Sequence, residues 1–344
     1  MQLSRPILSI WRSTPWVAAT PVDDRTIGGI LRDEVQVEFR GTGRMSEREL
    51  VPLTPAAREL LHGPERVAAQ RALRGVLATL DGREGASNLR GISLSSDQSS
   101  FAANLLMSNT EAGFVDDAVR AGDRAGFERA MVSLIPSVQV AKAQNTGWID
   151  LGPRVSSMLR DVIGRGPDAG RDAANEVSLT LLHELQHSVT APDPRTIDDR
   201  HVWLEEGIAE TLAWWPGAAG AMRDRLGVPT RPGEVIDPFS APPDSVASAE
   251  YRGRHRTVQG LLGLAGIEPY DRAGAIDPTA SARATALLQG DGIERVPRNL
   301  SRAIIREHRL DPALEPTVRG LILDTAGDPS SVDALAELLG IPTA

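Results

Sequence analysis

His183, Glu184 and His187 stand in the string HELQH, and Glu205, Glu206 and Glu210 follow in the string WLEEGIAE, which begins at Trp203. Imidazole nitrogens and carboxylate oxygens are the donors that hold zinc in catalytic sites. Residues four apart on an α-helix share a face, so His183 and His187 can aim both rings at one ion. Glu184 sits about 100° further round, where it can reach a water on the metal without ligating it. Two ligands leave zinc short, because catalytic sites generally have three protein ligands and one open position. Glu206, 23 residues after His183, is the candidate third ligand, and its neighbour Glu205 is the alternative. Histidine is scarce, at 6 in 344 residues, so the pairing is no by-product of abundance. The competing reading is an ordinary amphipathic helix that carries two surface histidines.

HExxH followed by W-x-x-E-G-x-A-E resembles the gluzincin clan of zinc metallopeptidases, which includes thermolysin-like enzymes and zinc aminopeptidases. The closest fit is its loose peptidase MA-like group. The resemblance spans roughly residues 172–251. It implies a zincin-like core in which His183, His187 and Glu206 hold Zn²⁺ and Glu184 is the general base. Glu210, one turn beyond Glu206, has the position of an acidic residue that accepts a hydrogen bond from a ligand histidine and fixes its tautomer. Clan members stabilise the tetrahedral oxyanion with a Tyr or His from a later helix. The resemblance therefore points to Tyr251, with His255 four residues on and on the same face. The G-x-M-E-N motif of the aminopeptidases is missing. The nearest string, Gly220-Ala221-Met222-Arg223, lies on the wrong side of the zinc motif. The N-E-x-x-S-D pattern of thermolysin is missing too.

The expected activity is zinc-dependent peptide-bond hydrolysis, endo- rather than aminopeptidase. Metal-activated water attacks, and Glu184 takes its proton and passes it to the leaving amine. Two alternatives stay open: a zinc hydrolase of another amide or an ester, and a non-catalytic zincin fold used for structure or binding. An intact Glu184 speaks against the second, since a structural site has no need of a base.

Composition sets the surroundings. The formal net charge of −9 disfavours nucleic acid and anionic membranes as partners, and the resemblance implies a peptide or protein substrate. There is no cysteine, so disulfides and thiolate metal sites are excluded. Of 37 basic residues only Lys142 is a lysine. No signal-peptide pattern and no apolar run of membrane-spanning length is found, so a cytoplasmic location is expected, with signal-less export or packaging in a particle as alternatives.

The elements that must position these residues read as an α+β chain in three zones. Residues 1–145 form a mixed N-terminal region. Residues 146–265 form the catalytic core, and residues 266–344 a helical C-terminal region that walls the cleft. Glu34 to Phe39 alternates like a strand, Pro55 to Leu80 reads as one or two helices interrupted at Gly63-Pro64, and Phe114 to Leu134 has a helical period. Gly91 to Leu94 and Trp148 to Leu151 read as short strands, either of which could serve as a sheet edge that takes a substrate strand. Asp81 to Ser100 is rich in Gly, Ser and charge and reads as a linker. The zinc helix starts near Asp168 to Asp172 and must stop by Ala191, because Pro192 follows. The glutamate helix starts after Asp198-Asp199 and ends at Pro216, where Trp214 and Trp215 read as packing residues. A further helix runs from Asp244 to Leu264, behind a Pro-rich connector between Gly227 and Pro243. His62, His201 and His308 read as surface or packing histidines.

Overall fold

The structure, a computed structural model of the chain, describes residues 63–79, 91–96, 101, 140–143, 148–190, 199–230, 249–270, 275–289 and 292–342. The expected strand Glu34 to Phe39, the expected helix Phe114 to Leu134 and His62 lie outside the described residues.

Ten α-helices and one three-stranded sheet make up the described part. Helix α1 is Gly63–Thr79. Gly63-Pro64 forms the start of this helix, where a proline in the first turn forfeits only an N–H that has no intrahelical partner anyway, and the residues expected to be helical before Gly63 lie outside the described residues. The strands are β1, Gly91–Leu94, β2, Val140–Ala143, and β3, Trp148–Leu151. Their order is β1-β3-β2, with β1 parallel and β2 antiparallel to β3. Trp148 to Leu151 is thus the central strand, hydrogen-bonded on both sides, and has no free edge to offer a substrate. Ile149 and Leu151 are buried in the core and Asp150 is buried on the other face, bonded to Ser93 of β1.

Pro153–Arg165 forms α2, and Arg171–Thr190 forms α3, the HExxH helix. Asp199–Ala213 forms α4, the glutamate helix, and Ala218–Leu226 forms α5. Both motif helices fall within a few residues of the bounds set by their flanking Asp and Pro signals. Helix α6 is Ala249–Leu264. The C-terminal helices are α7, Pro278–Gln289, α8, Val296–Glu307, α9, Glu315–Asp324, and α10, Ser330–Leu338. Just ahead of α10, Asp328 accepts from the backbone N–H of Ser330 at 3.0 Å.

Two hydrophobic cores share α4. The first gathers Leu73 and Val76 of α1, Ile92 and Ile149 of the sheet, Leu159 of α2, Leu182 and Leu185 of α3, and Met222 of α5. The second gathers Leu204, Ile208 and Leu212 of α4 with Val258 and Leu261 of α6, Leu300 and Ile304 of α8 and Val318 of α9. Helix α4 packs on α3 on one side and on α6 on the other. Every residue from Trp203 through the end of α4 and on to Pro216 is buried, the carboxylates included. Gly207 allows the close approach to α6: a Cβ there would meet Val258 Cγ2 at 2.8 Å and the Arg254 carbonyl oxygen at 2.9 Å. Among the described residues no helix is long and apolar enough to cross a membrane.

Candidate metal centre

The site lies at the contact of α3 with α4. A four-residue interval stacks His183 and His187 on α3, with ring centroids 4.8 Å apart and planes at 76°. Leu181, Leu182 and Leu185 occupy the other faces of this turn and hold it in the first core. The helical period thereby turns the histidines toward α4. From α4, the four-residue interval between Glu206 and Glu210 and the adjacency of Glu205 bring three carboxylates to the two rings.

Each imidazole is oriented through its Nδ1. His183 Nδ1 lies 2.9 Å from Glu210 Oε2, and His187 Nδ1 lies 3.0 Å from Glu205 Oε1. A carboxylate only accepts, so each Nδ1 carries the hydrogen and donates it. Both Nε2 atoms are then left to face each other, 3.0 Å apart. Glu206 Oε2 lies 3.4 Å from His183 Nε2 and 3.6 Å from His187 Nε2. Those are charge contacts, and neither Glu206 oxygen makes a hydrogen bond among the described residues although the side chain is buried. An unsatisfied buried carboxylate facing two imidazole Nε2 atoms, each able to offer a lone pair once its proton is displaced, asks for a cation. Bonds of about 2.0–2.1 Å arranged tetrahedrally separate ligand atoms by roughly 3.3–3.4 Å, which these three spacings bracket. His183, His187 and Glu206 also form the one group of three ligand-type side chains found among the described residues, with ligand atoms within 4.8 Å of one another. The donor set fits a divalent ion of the zinc type.

Of the two glutamates open as third ligand, Glu206 points at the Nε2 atoms, while Glu205 orients His187. Glu210 Oε2 faces His183 Nδ1, and its Oε1 accepts a hydrogen bond of 2.8 Å from the Trp214 indole. Glu205 and Trp214 as orienting groups escape a reading by sequence. An i to i+4 spacing places Trp214 over Glu210, but a tryptophan at a helix end reads first as packing.

Electrostatics follow from burial set against pairing. Burial opposes charge on His183, but Glu206, Glu210 and Glu184 outweigh it and hold its pKa well above the ordinary value. Burial likewise opposes charge on His187, and Glu206 and Glu205 raise it to about 9. Burial pushes Glu206 up, while His187 and His183 pull it well below the usual carboxylate range. Glu210 is lowered against its burial by His183, His255 and Trp214. His183 keeps a 14% exposed side chain against 1% for Glu206, so solvent reaches the centre from the His183 side.

Compared with known proteins, the chain matches no family profile, no curated protein and no solved structure.

Glu184 follows His183 on α3, is 9% exposed, and is close enough to act on the His183 charge. Tyr251 falls in the first turn of α6, and its side chain lies outside the described residues. His255 is buried on the face of α6 against α4, and its Nδ1 lies 3.2 Å from the Thr211 hydroxyl. Burial, offset in part by Glu210 and reinforced by Arg256, lowers its pKa to about 4, so it is neutral at pH 7. It is not among the converging ligand atoms. His308 Nε2 bonds to the Leu264 carbonyl at 2.9 Å, and His201 is half-buried near the start of α4. Trp214 and Trp215 are both buried.

Proposed function

We propose that this chain is a zinc-dependent hydrolase that cleaves peptide bonds, with a zincin-like core built on α3 and α4. One observation carries the reading: both histidines are locked by carboxylates at Nδ1, and both Nε2 atoms converge on a buried Glu206 that has no hydrogen bond. A helix pair giving His, His and Glu beside a small sheet, with β2 lying against α3, is what such a core needs.

His183, His187 and Glu206 would hold the ion. When bound, zinc lowers the pKa of a coordinated water to about 7 and polarises a carbonyl. Glu184, one residue along from His183, accepts the proton released as water attacks and returns it to the departing nitrogen. Glu205 and Glu210 keep the imidazole Nδ1–H bonds fixed, so that the lone pairs stay on the side of the ion. Solvent access at His183 supplies the water. His255, neutral at pH 7, is a candidate donor to developing negative charge, together with Tyr251.

Elemental analysis of the purified protein beside Glu206→Ala and Glu184→Gln tests this reading. Wild type and Glu184→Gln should each carry about one zinc per chain, and Glu206→Ala should carry none. In a peptide-library digest wild type should cleave, and Glu184→Gln should lose about 10²-fold or more, the scale of a general base. A wild type that takes up no zinc sinks the metal reading. A zinc-loaded wild type matched by Glu184→Gln in every digest sinks the catalytic one in favour of a binding or structural role.

A further inference from the structure

Trp214 stands one helical turn beyond Glu210, at the end of α4, and belongs to the first core with Leu182 and Leu185 of the HExxH helix. Its indole N–H donates to Glu210 Oε1 at 2.8 Å, and Glu210 Oε2 accepts from His183 Nδ1 at 2.9 Å. Trp214 is 5% exposed and Glu210 8%, so water competes little for either bond. The next residue, Trp215, is a natural contrast. It is buried to the same degree in the second core, yet its indole nitrogen has no hydrogen-bond partner among the described residues. Burial of a tryptophan here does not by itself produce such a bond.

We propose that Trp214 is a positioning residue for the metal centre: through Glu210 it fixes the ring of His183 with Nε2 toward the ion. This inference rests on the metal reading above. Glutamate has three rotatable bonds, and a carboxylate bonded to His183 alone could swing and carry the ring with it. A second donor on its other oxygen, supplied by a large ring wedged in the core, removes that freedom. The arrangement also requires a carboxylate, since it must accept from two N–H donors at once. An amide offers one accepting oxygen and one donating nitrogen, so one of the two N–H groups would face a donor.

Trp214→Phe removes the N–H and keeps most of the apolar volume. Trp215→Phe makes the same change where no bond is lost, and so reads the packing cost alone. Two measurements apply to each variant and to wild type. One is the zinc dissociation constant, by chelator competition. The other is the proton spectrum of the imidazole Nδ1–H groups in the metal-free protein, where His187, held by Glu205, is an internal reference. Trp214→Phe should weaken zinc about three- to tenfold, less than the ~10–100-fold typical of removing an orienting group outright. The His183 Nδ1–H signal should shift and exchange faster, with that of His187 unchanged, and Trp215→Phe should match wild type in both. Glu210→Gln should weaken zinc strongly on its own but add little once Trp214→Phe has removed the conflicting donor. Equal zinc affinity and an equal His183 signal in the Trp214 and Trp215 variants would overturn the proposal. A wild type without zinc affinity would fell the metal reading alone, because the proton signals of the metal-free protein still decide whether Trp214 orients His183.

Discussion

Two imidazoles with Nε2 atoms 3.0 Å apart cannot both point a hydrogen at each other, so in the metal-free protein one proton at most sits between them. The surrounding carboxylates nevertheless hold both pKa values high, His187 at about 9. At pH 7 the metal-free pair therefore keeps a proton that a metal ion must displace. Zinc uptake should release at least one proton per chain, and affinity should rise with pH until His187 titrates at about 9. Calorimetric titration at pH 7 in buffers of differing ionisation enthalpy counts that proton directly. Uptake that releases none would mean that the pair is already neutral and that Glu205, Glu206 and Glu210 do not act on it as their positions require. These carboxylates also mark what a sequence can convey at this scale. The four-residue interval of the histidines and their distance to Glu206 are written in the chain. The division of labour between Glu205 and Glu206 is not, because it depends on how α4 is rotated about its own axis against α3.

Element packing rests on the crossing of α4 with α6, where Gly207 lies against the Arg254 carbonyl and Val258. Neither atom is the far end of a flexible side chain, so a methyl group at this position must push the helices apart. Gly207→Ala should cost about 1–3 kcal/mol, the usual range for overpacking, and should weaken zinc because Glu206 is the preceding residue. Urea unfolding and chelator competition on one sample check both effects, and unchanged values would show that the crossing tolerates a wider gap. His255 occupies the same crossing. Its folded pKa of about 4 lies below the ordinary 6.5, so between these values the unfolded chain holds a proton that the folded one refuses. Its neutral burial costs no stability above about pH 6.5, and costs on the order of 3 kcal/mol by pH 4. In metal-free protein, the drop in urea midpoint between pH 7 and pH 5 should be smaller for His255→Asn than for wild type. The bounds of α3 and α4 are legible from Asp and Pro signals because those act locally. The central place of Trp148 to Leu151 is not, since its partners Gly91 to Leu94 and Val140 to Ala143 join it from both sides and one lies more than fifty residues upstream.

For the whole molecule, what matters is that the two cores meet at α4. Leu204, Ile208 and Leu212 belong to the second core, while Ala213 and Trp214 belong to the first. A further link crosses the same boundary: Gln289 of α7 bonds to Gln186 of the HExxH helix. A metal ion held by His183 and His187 from α3 and by Glu206 from α4 would join the first core to the helix that both cores share. Its binding energy should then stabilise the described fold as one unit rather than a local loop. At free zinc a hundredfold above the dissociation constant, linkage adds about 2.7 kcal/mol. For a chain of this size that is a rise of several degrees in melting temperature, since ~2–4 °C per kcal/mol is typical of domains of about 150–250 residues and the shift shrinks with size. Chelation should reverse the rise, and Glu206→Ala should abolish it. Scanning calorimetry of zinc-loaded and chelated protein decides the matter. One transition that moves as a whole places the ion at the junction of the cores. A shift confined to one of two resolved transitions would show that the cores unfold apart, and identical melting curves would show that α3 and α4 need no ion to stay together.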